Sequence, residues 1–124
     1  MVMKNRKKIL IISLTLLAGF TCSAGAVTKG MKKVIDDALD FSVKQSMSMF
    51  YEMKDQKGIL PRTAENGKMI TCESAWWTSG FYPGTLWYCY EYSNDPQIRA
   101  AAEEMTSRVE KQKYTTSNHD VGFI

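Results

Sequence analysis

Between Lys29 and Met53 apolar side chains return every three or four residues: Met31, Val34, Ile35, Ala38, Leu39, Val43, Met47 and Phe50. Lys32, Lys33, Asp36, Asp37, Asp40 and Lys44 fill the opposite side. That spacing predicts one amphipathic helix, with the methionines as core filler. Residues 54–80 lose the period and are punctuated by Gly58, Pro61, Asn66-Gly67 and Ser79-Gly80. They predict a long irregular connection, in which Asn66-Gly67 has the chemistry to close a small hairpin between Thr63 and Met69. A connection of this length inside a compact domain is often functional.

A second helix is predicted over about Pro83 to Tyr92, with Pro83 suited to a first turn. Apolar character runs all round it: from Phe81 to Tyr92, Glu91 is the only charge. Such a helix is normally covered on every side, and nothing else in this chain is long enough to cover it. Asp95-Pro96 then reads as an N-cap followed by a first helical residue. Ile98, Ala101, Ala102, Met105 and Val109 make a buried stripe down to about Lys113, with Glu103, Glu104, Arg108, Glu110 and Lys111 on the wet side. A turn-rich Thr115-Thr116-Ser117-Asn118 leads to His119-Asp120 and a fresh apolar run that ends at Ile124. No convincing strand stands out, so the predicted class is all-α.

Charge changes the picture at one end only. Four of the 16 basic residues (Lys4, Arg6, Lys7 and Lys8) lie in the first eight positions, and the first acidic residue is Asp36. Without residues 1–26, 12 basic residues face 13 acidic ones, and no basic surface suited to nucleic acid remains. The basic start, the apolar run Ile9 to Phe20 and the small residues Ala24-Gly25-Ala26 predict a secretory signal peptide over 1–26, with the mature chain over 27–124. The apolar run is 12 residues long, short of the roughly 20 a membrane-spanning helix needs. The prediction is therefore an exported protein, periplasmic or secreted, with no stable membrane span after cleavage. An uncleaved N-terminal anchor is the alternative; a lipidated Cys22 is disfavoured by Gly19-Phe20-Thr21 before it.

Cleavage leaves Cys72 and Cys89. They either pair in an oxidising compartment or remain buried thiols, and the aromatic surroundings of Cys89 favour thiols. Two cysteines and one histidine are too few for a structural zinc site, so neither a metal nor a cofactor is expected. Trp76, Trp77, Phe81, Tyr82, Trp87, Tyr88, Tyr90 and Tyr92 concentrate aromatic surface between positions 76 and 92. For Trp87, Tyr88 and Tyr90 an aromatic core is the plainer reading. Trp76 and Trp77 sit in a polar loop, where a face offered to a sugar ring is as reasonable as a core. His119-Asp120 is the one His–carboxylate pair. Beside apolar surface a carboxyl can have its pKa raised, which suits a general acid; Asp120 also reads as an N-cap for a helix starting at Val121.

The run Trp77-Thr78-Ser79-Gly80-Phe81-Tyr82-Pro83-Gly84-Thr85-Leu86-Trp87-Tyr88, with Tyr90-Glu91-Tyr92 and Asp95-Pro96 behind it, resembles the N-terminal signature of the unsaturated glucuronyl hydrolases, glycoside hydrolase family 88. His119-Asp120-Val121-Gly122-Phe123-Ile124 resembles that family's His-Asp-hydrophobic-Gly-Phe motif at the expected separation. The resemblance implies the N-terminal part of an (α/α)6 barrel, in which the aromatic helix is an inner one. Twelve helices with their connections need roughly 180–215 residues, so this chain is expected to be an incomplete barrel.

The resemblance also implies a chemistry. A 4,5-unsaturated glucuronic acid is removed from oligosaccharides left by polysaccharide lyases. A carboxylic acid protonates C4, water adds at C5, and the resulting hemiketal rearranges to release the sugar. Position by position, Asp120 matches one of two active-site aspartates, His119 a pocket histidine, and Trp77 a tryptophan that stacks on the sugar. The second aspartate has no counterpart here, so the chain alone is expected to be inactive. Two rivals stand: an unsaturated rhamnogalacturonyl hydrolase-like piece with similar chemistry, and a non-enzymatic helical interaction module whose aromatic wall binds a protein.

Overall fold

The computed structural model describes residues 27–124. The leader and its charges lie outside the described residues. Contact within the chain divides it at Lys32/Lys33, and the core and the candidate site belong to the unit from Lys33 onward.

Helix α1 runs Lys29–Met53, over the span its period predicts. At its start the hydroxyl of Thr28 accepts from the Met31 N–H at 3.2 Å, satisfying one of the free donors every helix start leaves. A correction concerns its apolar face. Val34, Ile35 and Phe41 are exposed, whereas Val43, Met47, Met49, Phe50 and Met53 meet the core. Only the C-terminal half of the stripe is covered by the helices that follow.

The connection is more ordered than its punctuation suggests. Strand β1 (Ile59–Glu65) pairs antiparallel with β2 (Lys68–Glu73), so a real two-stranded hairpin interrupts the helical chain. Asn66 and Gly67 hold φ of 50° and 72°; positive φ at both central positions is what a tight hairpin turn requires. The alternation was masked by Pro61, and by a register shift between Pro61 and Thr63 that leaves Arg62 without a cross-strand partner. That shift is a β-bulge.

Helix α2 spans Phe81–Ser93 and helix α3 spans Pro96–Val109. Asn94, in the left-handed region at φ 54°, ends α2 and donates to Tyr90 O at 2.7 Å. Asp95 caps α3 as expected, its carboxylate accepting from Gln97 N at 2.8 Å. The stripe Ile98, Ala101, Ala102, Met105 and Val109 is buried throughout. It packs with Met53, Tyr82, Leu86 and Cys89 into one core. Tyr82 donates to Ser46 O at 2.7 Å, tying α2 to α1, and its burial pushes the phenol well above the ordinary tyrosine range.

Two expectations change here. Helix α2 is not covered all round: Tyr82, Pro83, Leu86 and Cys89 are buried, but Phe81 is exposed and Tyr88 is 74% exposed. Tyr88 is therefore no core residue, while Trp87 and Tyr90 pack half-buried against the core. Arg108, placed on the wet side by its charge, is only 6% exposed. Its guanidinium donates to Met53 O (3.3 Å), Lys54 O (3.2 Å), Gln56 O (2.9 Å) and Ile59 O (3.0 Å). These carbonyls belong to the end of α1, the turn after it and the first residue of β1, so one side chain ties the helix end to the hairpin.

Cys72 and Cys89 are both free, and burial pushes the Cys72 thiol up against a smaller opposing effect of Arg62. Fewer thiolates at a given pH means slower alkylation. Native protein treated with iodoacetamide at pH 8 is expected to label Cys72 slowly and Cys89 more slowly still, both labelling fully after denaturation without reductant. Peptide mass spectrometry reads this; a peptide pair joined through the two sulfurs would refute it.

Candidate active site

The chain from Glu73 to Gly80 makes two turns before α2. Trp76 N donates to Glu73 O (3.1 Å), Ser79 N to Trp76 O (2.9 Å) and Phe81 N to Thr78 O (3.1 Å). A buried set of polar side chains holds these turns. Ser79 Oγ donates to Ser74 O at 2.7 Å, Gln112 Nε2 donates to Ser74 Oγ at 2.9 Å, and Thr115 Oγ1 donates to Gln112 Oε1 at 2.8 Å. Ser74 and Ser79 are fully buried, where an unpaired hydroxyl would cost about 1–3 kcal/mol. The relay therefore links the loop carrying Trp77 to the 3₁₀ segment Glu110–Tyr114 that leads to His119.

The second motif arrives through a short turn. Asp120 N donates to Asn118 Oδ1 at 2.9 Å, an Asx turn that bends the chain at His119. Residues Val121–Phe123 form a single 3₁₀ turn, opened by Phe123 N donating to Asp120 O at 2.9 Å. Asp120 sits at the cap position of that turn but makes no side-chain cap bond. Its carboxylate, 31% exposed, lies 3.6 Å from Nε2 of His119, whose ring is 91% exposed.

The two motifs meet at Gly80. A Cβ there would collide with Phe123 O, and would stand 2.6 Å from Ile124 O and 2.8 Å from Ile124 Cα. Glycine is what lets the terminal segment lie on the start of α2. Above this contact Trp77, Phe81 and Phe123 form a trio of edge-to-face rings, with centroids 5.8, 6.0 and 6.5 Å apart. These separations are in the favourable range for aromatic pairs. Trp77 remains 44% exposed. Beside it a cavity of ≈ 440 Å³ is bounded by Gly84, Tyr88 and Phe123 among others. The structure thus joins Trp77 to the segment bearing Asp120, while His119 points to solvent. Among the described residues no three His, Cys, Asp or Glu side chains group as metal ligands, and no helix is long and apolar enough to cross a membrane.

No protein-family model matches the chain. An unsaturated glucuronyl hydrolase of Formosa agariphila is 45% identical over 47 residues, 38% of this chain and 12% of that protein. An unsaturated chondroitin disaccharide hydrolase of Streptococcus pyogenes is 35% identical over 95 residues, 73% of this chain and 23% of its own length. In three dimensions the chain superimposes on the crystal structure of an unsaturated glucuronyl hydrolase specific for heparin, with a TM-score of 0.58 and 34% identity. The match covers 71% of this chain and 24% of the other. This chain matches one part of the unsaturated glucuronyl hydrolases. It spans between 12% and 24% of the length of these relatives. Its helices are accordingly part of an (α/α)6 barrel, mostly helical, with the small β1–β2 sheet added.

Phe81 and Tyr88 leave one face of α2 bare. Sequence reasoning missed Gln112, Ser74, Ser79 and Gly80. A signal existed for one of them: Gln112 continues the buried series Met105, Val109 by one further helical step, and only its amide argued against burial.

Proposed function

We propose that this chain contributes to a glycoside hydrolase of exported type that removes 4,5-unsaturated glucuronic acid from lyase-generated oligosaccharides. The supporting observation is the aromatic trio, which sets Trp77 beside the turn that carries Asp120. The indole face takes the apolar C–H surface of the unsaturated ring. The Asp120 carboxyl assists the proton that goes to C4, and water supplies the hydroxyl that goes to C5. Charge develops at C5 next to the ring oxygen, and a carboxylate nearby stabilises it. His119 lines the open side and hydrogen-bonds the sugar. The hemiketal at C5 then rearranges and frees the next sugar. The second acid and further contacts to the uronate are not among these residues, so this chain is expected to bind weakly and not to turn over at ordinary rates.

Tryptophan fluorescence titrated with an unsaturated chondroitin disaccharide tests the reading. Trp77→Ala is expected to weaken binding by about 0.5–1.5 kcal/mol, roughly 2- to 12-fold, the scale of a lost stacking face. Asp120→Asn is expected to leave binding within a few-fold. Equal affinity for the saturated disaccharide and no effect of Trp77→Ala would remove the reading. Hydration of the C4=C5 bond at ordinary enzymatic rates, followed as loss of its ultraviolet absorbance, would show that no further acid is needed.

A further inference from the structure

Helix α1 has three sides, and two of them are occupied. Val43, Met47 and Phe50 pack on the core. The side bearing Asp40 turns to α2, where Tyr92 Oη donates to Asp40 Oδ1 at 3.1 Å. The third side carries Val34, Ala38 and Phe41, at the four- and three-residue steps that keep side chains in one line along a helix. Val34 and Phe41 are each 63% exposed, Ala38 is exposed, and Ile35 borders the line. Single apolar residues are ordinary on a surface; an apolar line of this kind marks a surface for another helix.

The charges beside the line show what fits it. Asp37 and Lys44 are exposed and stand seven residues apart, two helical turns, so they border the same flank of the seam. The opposite flank, with Ile35 and Ser42, is uncharged. Among the described residues Lys44 makes no ion pair, while Asp37 meets Lys33 of its own helix at 2.6 Å. When two copies of a helix pack antiparallel about a two-fold axis, each flank meets the same flank of its twin, read in the opposite direction. Asp37 of one copy then faces Lys44 of the other, and the symmetry makes that pair twice. The same register sets Phe41 over Ala38 of the second copy, a large ring against the one small side chain of the seam. Parallel packing would instead bring the charged flank against the uncharged one and match no charges.

We infer that this seam of α1 is a self-complementary surface that takes a second copy of the chain in antiparallel orientation. Phe41 and Ala38 form its centre and the Asp37–Lys44 pairs its charged flank. Flanking charges of this kind set partner and orientation in paired helices. The contact spans few helical turns, which places it at the low end of interface sizes, so association is expected in the micromolar to submillimolar range. The inference does not depend on the proposed function.

Sedimentation equilibrium of the 124-residue chain, from about 10 to 500 µM, tests it. The average mass of the parent is expected to rise with concentration from 14.1 kDa toward twice that value. Asp37→Lys puts two cations on the flank and Lys44→Asp two anions. Each variant alone is expected to need at least about tenfold higher concentration for the same average mass. Mixed in equal amounts, the two are expected to regain the parent curve, because each then supplies the charge the other lacks. The double variant Asp37→Lys/Lys44→Asp is expected to do the same by itself. Both positions are exposed and outside the core, and circular dichroism of each variant is expected to match the parent. A parent that stays monomeric throughout would overturn the inference and leave the seam to a different occupant, such as a further segment of a longer protein. Association that ignores the single substitutions would overturn it as well, since the contact would then lie elsewhere. So would a mixture no more associated than its components.

Discussion

Replacing Arg108 with alanine is expected to cost this fold about 3–5 kcal/mol. The guanidinium is buried and donates to four backbone carbonyls around the end of α1, with Glu104 Oε1 at 2.6 Å holding its other side. Hydrogen bonds from a charged donor contribute about 1.5–3 kcal/mol each when removed singly, and they do not add. Truncation also removes a donor from the part-buried Met53 and Ile59 carbonyls, while those of Lys54 and Gln56 stay open to water. Against a total stability of roughly 5–15 kcal/mol for a small domain, that is a large fraction. The midpoint of thermal unfolding is expected to fall by roughly 12–40 °C, scaling about 4–8 °C per kcal/mol for a unit this size. Arg108→Lys is expected to recover only part of the loss, because an ammonium cannot fork across carbonyls that point in different directions. Circular dichroism melts of the three proteins decide it. A change in midpoint under about 3 °C for Arg108→Ala would mean that the carbonyls find water and that α1 is not fastened there.

Gly80→Val is the second large effect, and it acts on the site more than on the fold. A side chain at position 80 overlaps the backbone of Phe123 and Ile124. Those atoms are main chain and cannot rotate aside, so residues 121–124 must leave the start of α2. The core beneath, built on Met53, Leu86, Ile98 and Met105, does not involve position 80. Melting is therefore expected to change little, while the contact of Phe123 with Trp77 and Phe81 is lost. Ring-current shifts on the Trp77 indole protons are expected to collapse toward exposed values. Affinity for the unsaturated disaccharide is expected to drop by at least about tenfold, roughly 1.4 kcal/mol. Gly80→Ala gives the smallest version of the same clash. Wild-type indole shifts in the valine variant would show that the two motifs are not held together through this contact.

The two experiments separate two kinds of contact. Arg108 fastens secondary structure that is otherwise well specified; Gly80 permits an approach between segments about 40 residues apart in the chain. The buried relay Ser79–Ser74–Gln112–Thr115 lies between these cases. It orders a loop that has no regular hydrogen-bonding pattern of its own, and it does so from a helix end that also leads to Asp120.

How much of this was legible beforehand follows from the range of the interactions involved. The limits of α1, the Asp95 cap and the buried stripe of α3 rest on contacts within a turn or two, and residue type and spacing determine these. The Asn66-Gly67 turn was readable for the same reason, although Pro61 and the bulge at Arg62 hid the strands on either side. The pairing of the His119–Phe123 motif with the Trp77–Tyr88 motif was legible only as a resemblance, because no local rule relates them. Tertiary structure alone decided three matters. It put the Arg108 charge indoors, since four carbonyls from the end of α1, the turn after it and the start of β1 converge there. It left Tyr88 outdoors, since this stretch of chain holds nothing to cover that face of α2. It brought Trp77 to Phe123, since glycine at position 80 is the one residue whose missing Cβ leaves room for another backbone. Periodicity reports which side of an element is apolar; which neighbour arrives, and how closely, is set by packing between distant segments, and that is where the candidate site was made.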